Sequence, residues 1–393
     1  MGSVNITLAN GQLGATLQTN DGITGLIVTG VTEGSYAAGT PILVTSMSAV
    51  VQAGITTTGN RFATRQLQAF YNQAGAGSQL YLMLVPPTMT VAEMADISNA
   101  NGAKKLLDYA DGKIKVLGLL SDDEAIDTEG GTITITNGLN SDVYTAATNM
   151  GILAASYFNS HKPFRAIVGG TSYTGVAADL TDMSAGTTNN RTAILVGDTV
   201  PGQAACMGVL LGVITSIPVQ RKISRVRSGA LSISSAYTGP ISMESDTESP
   251  AVIAEKGYIT FTTYANTSGY FFSGDPMCTA VTDDYGMLAR GRVIDKAHIL
   301  AYSTFVQVVD DEVPVNTDGT LDAGFCKWLS QQIVNQINNT MTANKEISKI
   351  SCYIDPAQNI LSTNQLKVVL SITPVGYATN IVISLGFNNP ANS

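Results

Sequence analysis

The sequence predicts an α/β (α+β) protein: a helix-covered, largely parallel sheet, then a second α+β domain, with extended strand arms at the two ends. Three observations carry this. From Gly22 to about residue 219, short β-branched or leucine-rich runs alternate with segments of helical period, the pattern of βαβ units. After Ser228 the text turns to Ser, Thr, Tyr and Gly in strand-like runs, followed by two long helical segments. The first and last stretches alternate apolar and polar residues with period two and little core of their own. The divisions that follow are an N-terminal arm at 1–20, an α/β domain at 21–230, an α+β domain at 231–380 and a C-terminal strand and arm at 381–393.

Val4, Ile6 and Leu8, then Leu13, Ala15 and Leu17, mark the opening as extended chain. GITGLIVTG from Gly22 is a buried strand bounded by glycines, and GTPILVTS adds a turn and a second strand. Ser46–Val51 and RFATRQLQAFY (Arg61–Tyr71) are helical by spacing, and QLYLMLVPP is a buried strand stopped by prolines, which cannot donate to a ladder. The rhythm repeats: AEMADISNANGAKKLLDYA as helix, KIKVLGLLS as strand, DVYTAATNMGILAASYFNSHK as helix, FRAIVGG and TAILVGD as strands. TITIT followed by Asn-Gly is a surface hairpin. A proline-led helix is expected from Pro201, and Ala205–Val219, too short to span a bilayer, reads as a buried helix running into a strand.

Further on, ALSISS, GYITFTTYA and YFFSGD read as strands, and a helix is expected from about Thr282 or Asp283 through DYGMLARGRVIDKAHILAY. A second helix carries Phe325, Leu329, Ile333, Ile337 and Met341 on one stripe, with Trp328 expected as a core anchor. KISCYIDPAQN is a further strand, and Leu366–Phe387 reads as two alternating strands joined through Pro374 and Gly376. Terminal strands with open edges call for pairing.

Composition narrows the function. Of 393 residues, 44% are hydrophobic and 13% charged, well below the charge content usual for soluble domains, so much of the surface is neutral and polar and suits packing against protein. A net charge of −9 argues against nucleic acid as a partner. One basic run stands out, Arg221, Lys222, Arg225 and Arg227, either a solvated edge or a patch complementary to an acidic neighbour. Cys206, Cys278, Cys326 and Cys352 are scattered and are expected as reduced, buried thiols. The opening has neither a basic nor an apolar signal region, so synthesis is expected to end in the cytoplasm, without membrane contact.

Chemistry has little footing. His161 and His298 lack a second ligand at metal spacing. AGAGS and GQAACMGVLLG lack a phosphate-loop lysine, and no GxSxG elbow occurs. The acidic groups at Asp122–Glu124, Asp283–Asp284 and Asp310–Glu312 stand where helices begin or strands end, as caps or solvated charges; VNTDGTLD lacks a calcium-ligand ladder. The expectation is no catalytic residue, cofactor or metal. An α/β enzyme with an accessory β domain would need convergent polar groups in one pocket, and a surface or adhesion protein would need a secretion signal.

Four stretches together resemble the contractile tail sheath family of phages, pyocins and related injection systems. DGITGLIVTGVTEGSYAAGTPILVTSMSAVV (Asp21–Val51) resembles its opening strand, glycine turn and proline-led second strand. FATRQLQAFYNQAGAGSQLYLMLV (Phe62–Val85) is similar to the helix, glycine-rich turn and buried strand that follow. DDYGMLARGRVIDKAHILAY (Asp283–Tyr302) resembles the family's basic helix, and LKVVLSITPVGYATNIVISLGF (Leu366–Phe387) its closing hairpin. The middle, about 100–240, matches only as an α/β pattern.

The resemblance implies an outer α/β domain and an inner C-terminal domain facing a tube. It also implies terminal strands (Val4, Ile6 and Leu8; Ile381, Val382, Ile383 and Leu385) donated to neighbours by β-augmentation. The late helix would present Lys327, Gln331, Gln332, Asn335, Asn338 and Asn339 to the tube or the next subunit; its alternative reading is an ordinary solvated face. The implied partners are the chain itself in stacked helical rings, an inner tube protein, and baseplate and tail-terminator proteins. The implied setting is assembly in the bacterial cytoplasm into a tail or injection particle that contracts by lattice rearrangement.

Overall fold

The computed structural model describes residues 20–185, 188–202, 204–246 and 248–383. The chain divides into two compact units, 1–309 and 310–393.

The first unit is built on a six-stranded sheet. β1 (Thr24–Thr29), β2 (Ile42–Val44), β3 (Leu80–Val85) and β4 (Val116–Leu120) alternate with α1 (Met47–Gln52), α2 (Arg61–Ala74), α3 (Val91–Ala95) and α4 (Ala103–Ala110). Then come α5 (Asp123–Thr128), the small pair β5 (Ile135–Thr136) and β6 (Leu139–Asn140), α6 (Ser141–Asn159), β7 (Arg165–Gly169), β8 (Thr188–Asn189), β9 (Thr192–Leu195) and α7 (Met207–Ser216). The order is β2-β3-β1-β4-β7-β9, parallel throughout except for β2, antiparallel on β3. The chain leaves β1 to one side for β3 and to the other for β4, so the strand order reverses between β1 and β4.

Every residue of β1, β3, β4, β7 and β9 is buried, which is why these strands read as continuous apolar runs and why both faces carry helices. Leu26, Val28, Leu80, Leu82 and Leu84 share one core with Leu67 and Phe70 of α2 and Leu210 and Leu211 of α7. Ile27, Met83 and Leu119 share the opposite core with Leu106 of α4 and Val143, Met150 and Leu153 of α6.

The α2–α7 crossing is set by glycine. A Cβ on Gly208 would stand 1.9 Å from the Gln66 carbonyl oxygen, and one on Gly212 would stand 2.7 Å from that of Phe70. The Gln66 amide, fully buried, donates to Ala205 O at 3.0 Å and accepts from Gly208 N at 2.9 Å. It thereby serves the first turn of α7, which starts six residues after the expected Pro201: the turn forms where Gln66 satisfies it, not where proline would permit it.

Other departures have similar local causes. The helix expected through AEMADISNANGAKKLLDYA is broken into α3 and α4, because Asn99 and Asp96 bond the intervening backbone in turns. After α7, Pro218–Ser228 is turns and one 3-10 turn, not a strand. ALSISS is irregular, although the Leu231 amide bonds Tyr270 O. The Asn137-Gly138 hairpin forms as expected, both residues at positive φ.

The unit closes with β10 (Tyr237–Thr238), β11 (Ile241–Ser242), α8 (Ser249–Glu255), the hairpin β12 (Phe261–Tyr264) and β13 (Thr267–Phe272), β14 (Cys278–Thr279) and α9 (Leu288–Phe305). The helix expected from Asp283 begins at Leu288. Asp283 instead ties a turn, accepting from Tyr285 N and Asn190 Nδ2, and Asp275 receives the Leu288 and Ala289 amides.

The second unit holds α10 (Ala323–Ile337), capped by Asp322 through Phe325 N at 2.7 Å and continued by one π-helical turn over Asn338–Thr342. After it come β15 (Ile347–Tyr353), α11 (Ile360–Thr363) and β16 (Val369–Pro374), antiparallel to β15. The buried stripe of the helix is Cys326, Leu329, Ile333, Ile337 and Met341, with Cys326 taking the place expected of the half-buried Phe325. The closing strand pairs upstream with β15. Among the described residues 375–383 forms no strand.

Candidate assembly surfaces

The second unit is an incomplete sheet. Among the described residues β15 and β16 form a two-stranded pair covered by one helix, below the three strands that usually make a sheet stable. Its outward residues are mostly Ser, Lys and Thr, but two large apolar side chains stand among them, Tyr353 at 61% and Val369 at 58% exposed, and Leu361 of α11 is 66% exposed. Beyond it Ile381, Val382 and Ile383 are 72, 87 and 77% exposed. Leu385, like Val4, Ile6 and Leu8, lies outside the described residues.

On α10 the polar residues singled out by spacing share one face. Lys327, Gln331, Gln332, Asn335 and Asn339 are exposed and Asn338 is half-buried; Gln331 donates to Asn335 Oδ1 at 2.7 Å. Trp328 belongs to this face too, 50% exposed and against Phe325 with ring centroids 5.8 Å apart. The sole tryptophan is therefore a surface residue and not the core anchor its type suggests, because it sits one position past the Cys326–Leu329 stripe.

The basic run separates. Lys222 Nζ lies 3.2 Å from the buried Asp275 carboxylate, at the start of α9, so it serves the fold. Arg221 is half-buried, and Arg225 and Arg227 are exposed. The Arg221 guanidinium is pushed down from its ordinary value by burial and then by the neighbouring Arg225 charge.

The basic segment of α9, RGRVIDK, turns inward. The side chain of Arg165, 1% exposed, meets the Asp295 carboxylate through Nε at 2.7 Å and Nη2 at 2.9 Å, and Gly291 O at 3.1 Å. Arg191 approaches the same carboxylate at 3.4 Å. Arg292 donates to Ile214 O and Ile217 O at the end of α7, and Lys296 pairs with Asp21 at 2.6 Å. These contacts fasten α9 to the sheet. A charged first residue in an otherwise buried strand, FRAIVGG, was the available sign of this anchor.

Where the strand order reverses, the carboxyl ends of the strands open on a cleft of about 960 Å³, the position at which open α/β sheets present a crevice. Five carboxylates line it, Asp122, Asp123, Glu124, Asp127 and Asp198, against the two guanidinium groups of Arg61 and Arg65. Asp123 is buried and satisfied, accepting from Ser121 at 2.8 Å, Asn140 at 2.9 Å and Ser172 at 2.6 Å. Asp122 caps α5 through Ala125 N; burial raises its carboxyl above the usual range, and the Glu124 and Asp123 charges add to that. Asp198, 2% exposed, meets Arg65 at 2.8 Å through Oδ1, while its buried Oδ2 has no hydrogen-bond partner among the described residues. Glu124 and Asp127 are exposed, and Ile135 and Val200 stand 45 and 41% exposed on the rim.

Among the described residues no three His, Cys, Asp or Glu side chains converge as a metal site, and no helix is long and apolar enough to cross a membrane. The two histidines meet each other, His161 Nδ1 to His298 Nε2 at 3.1 Å. Cys206, Cys278 and Cys326 are buried thiols and Cys352 is half-buried.

The comparisons with known proteins agree with this geometry. Residues 1–275 match the N-terminal domain of DUF2586 and residues 284–392 its C-terminal domain. No curated protein sequence matches the chain. Among solved structures, a chain of the anti-feeding prophage baseplate superposes with a TM-score of 0.63 at 14% identity, covering 99% of this chain and 100% of that one. The helical sheath of the same particle in its contracted state gives 0.63 at 12% identity, covering 98% and 99%. The sheath complex of an extracellular contractile injection system, PVC, also contracted, gives 0.61 at 13% identity, covering 100% and 99%. At this identity the likeness is one of fold, and it runs from end to end. The chain belongs to the DUF2586 family and has the fold of contractile-sheath chains.

Proposed function

We propose that this protein is a sheath subunit of a contractile tail or injection machine, polymerising as a helical array around an inner tube and contracting by lattice rearrangement to drive the tube into a target. The observation that carries this is the end-to-end superposition on chains of contracted sheaths. The open sheet of the second unit supports it. Two strands and one helix leave edges and apolar side chains uncovered, and a strand from a neighbour would supply both pairing and cover. Main-chain ladders tolerate rotation of one subunit against the next, so links of this kind persist while rings compress.

In this reading residues 1–20 and 381–393 are the exchanged arms, with Val4, Ile6, Leu8, Ile381, Val382, Ile383 and Leu385 as their pairing residues. The tube-facing or neighbour-facing surface is the polar side of α10, and the outward arginines of the 221–227 run meet an acidic neighbour. Baseplate and tail-terminator proteins bound the polymer. The subunit works without catalysis, nucleic acid or membrane contact, and it assembles in the bacterial cytoplasm before acting in the finished particle. Deleting residues 1–16, or 381–393, is expected to leave the circular dichroism and melting of the subunit intact and to abolish polymers in negative stain. Polymers that survive both deletions would refute strand exchange.

A further inference from the structure

We propose that the carboxylate cleft of one copy receives the Arg225-Val226-Arg227 segment of a second copy, a head-to-tail contact separate from the terminal arms. The inference rests on the polymer reading above and names one of its contacts.

The two surfaces are complementary in charge and in apolar character. Five carboxylates against two guanidinium groups leave the cleft acidic, with the exposed Glu124 and Asp127 at its mouth. Opposite charge is what Arg225 and Arg227 present, and neither forms an ion pair among the described residues. Val226, 38% exposed between them, matches a rim that exposes Ile135 and Val200. Like charges crowd on both sides. Asp122 sits among Asp123 and Glu124, and Arg221 beside Arg225, so each surface alone carries a repulsion that docking would remove.

The two patches are distinct surfaces of one chain. Among the described residues the ion pair inside the cleft is Arg65 with Asp198, and neither Arg225 nor Arg227 reaches a carboxylate of its own cleft. A patch and a different, complementary patch give a heterologous contact between copies, which propagates into rings or helices instead of closing a dimer.

The test uses the full chain and reads self-association by sedimentation across a salt series. R225E/R227E and E124R/D127R change only exposed side chains, and each is expected to weaken association by about tenfold or more. Mixed in equal amounts, the two variants are expected to recover it, because each supplies the face the other lacks. Wild-type association should fall with added salt. Should E124R/D127R lose its circular dichroism, the milder E124Q/D127N takes its place, with weakened association as the expected result. Association of both variants at wild-type strength, a mixture as weak as its components, or a wild type monomeric throughout would overturn the contact. Cylinders around a tube are scored separately. If both reversals form them as wild type does, this contact fails and the sheath reading stands; if charge rescue holds and no cylinders form, the sheath reading fails and this contact stands.

Discussion

Buried Asp295 pairs with two guanidinium groups, at 2.7 Å from Arg165 and 3.4 Å from Arg191, and Arg165 is only 1% exposed. Asp295→Ala is expected to cost about 3–5 kcal/mol, because a buried charge loses its partner; thermal melting checks it, and an unchanged midpoint would remove the anchor from the account. Gly208→Ala should destabilise by roughly 1–3 kcal/mol, since its Cβ would meet the Gln66 backbone, which cannot swing aside. Glu33 gives the acid response. Its carboxylate accepts from the Thr56 hydroxyl and amide, Asn60 Nδ2 and Gly59 N, and these bonds, that of the Thr56 hydroxyl foremost, lower it from 4.5 to about 2. A folded value below the unfolded one means a contribution present above about pH 4.5 and lost as pH falls toward 2. Glu33→Gln should therefore unfold with a shallower dependence on acid than wild type over that window. Caps such as Asp122 were legible in the sequence; the Asp322 cap of α10 was not singled out. The pairings of Arg165 with Asp295, Gln66 with Ala205 and His161 with His298 were not legible, because these partners lie more than a hundred positions away along the chain.

At the scale of elements, strands wholly buried between helices announced themselves, and β1, β3, β4, β7 and β9 lie where their apolar runs stand. Helix starts were less legible. α7 and α9 begin where Gln66 and Asp275 satisfy their first turns, conditions set by distant packing that proline or aspartate in the local text does not reveal. Trp328 was misplaced for a related reason: one position separates the buried stripe of α10 from its open face. That exposure makes it a probe. In the free subunit its emission is expected to be quenched readily by acrylamide, and assembly on a tube should shift it to the blue and protect it if the polar face of α10 is the contact. Replacing Gln331, Asn335 and Asn338 together with alanine should leave melting within about 1 kcal/mol and reduce tube binding; undiminished binding would return this face to solvent.

For the whole molecule, the fold class followed from alternation of short apolar runs with helical segments, and the central strands of the first unit stand in the expected order, while the strands expected after α7 and at ALSISS did not form. In the proposed sheath, what the edges of β15 and β16 receive would be a property of the assembly, which a single chain's pattern records only as a two-stranded pair with exposed apolar side chains among the described residues. The most direct measurement is electron microscopy of the purified protein mixed with the tube protein of its own cluster. The account predicts hollow, transversely striated cylinders around the tube, shorter and wider after triggering. A subunit that remains monomeric beside bare tubes under every assembly condition would contradict it.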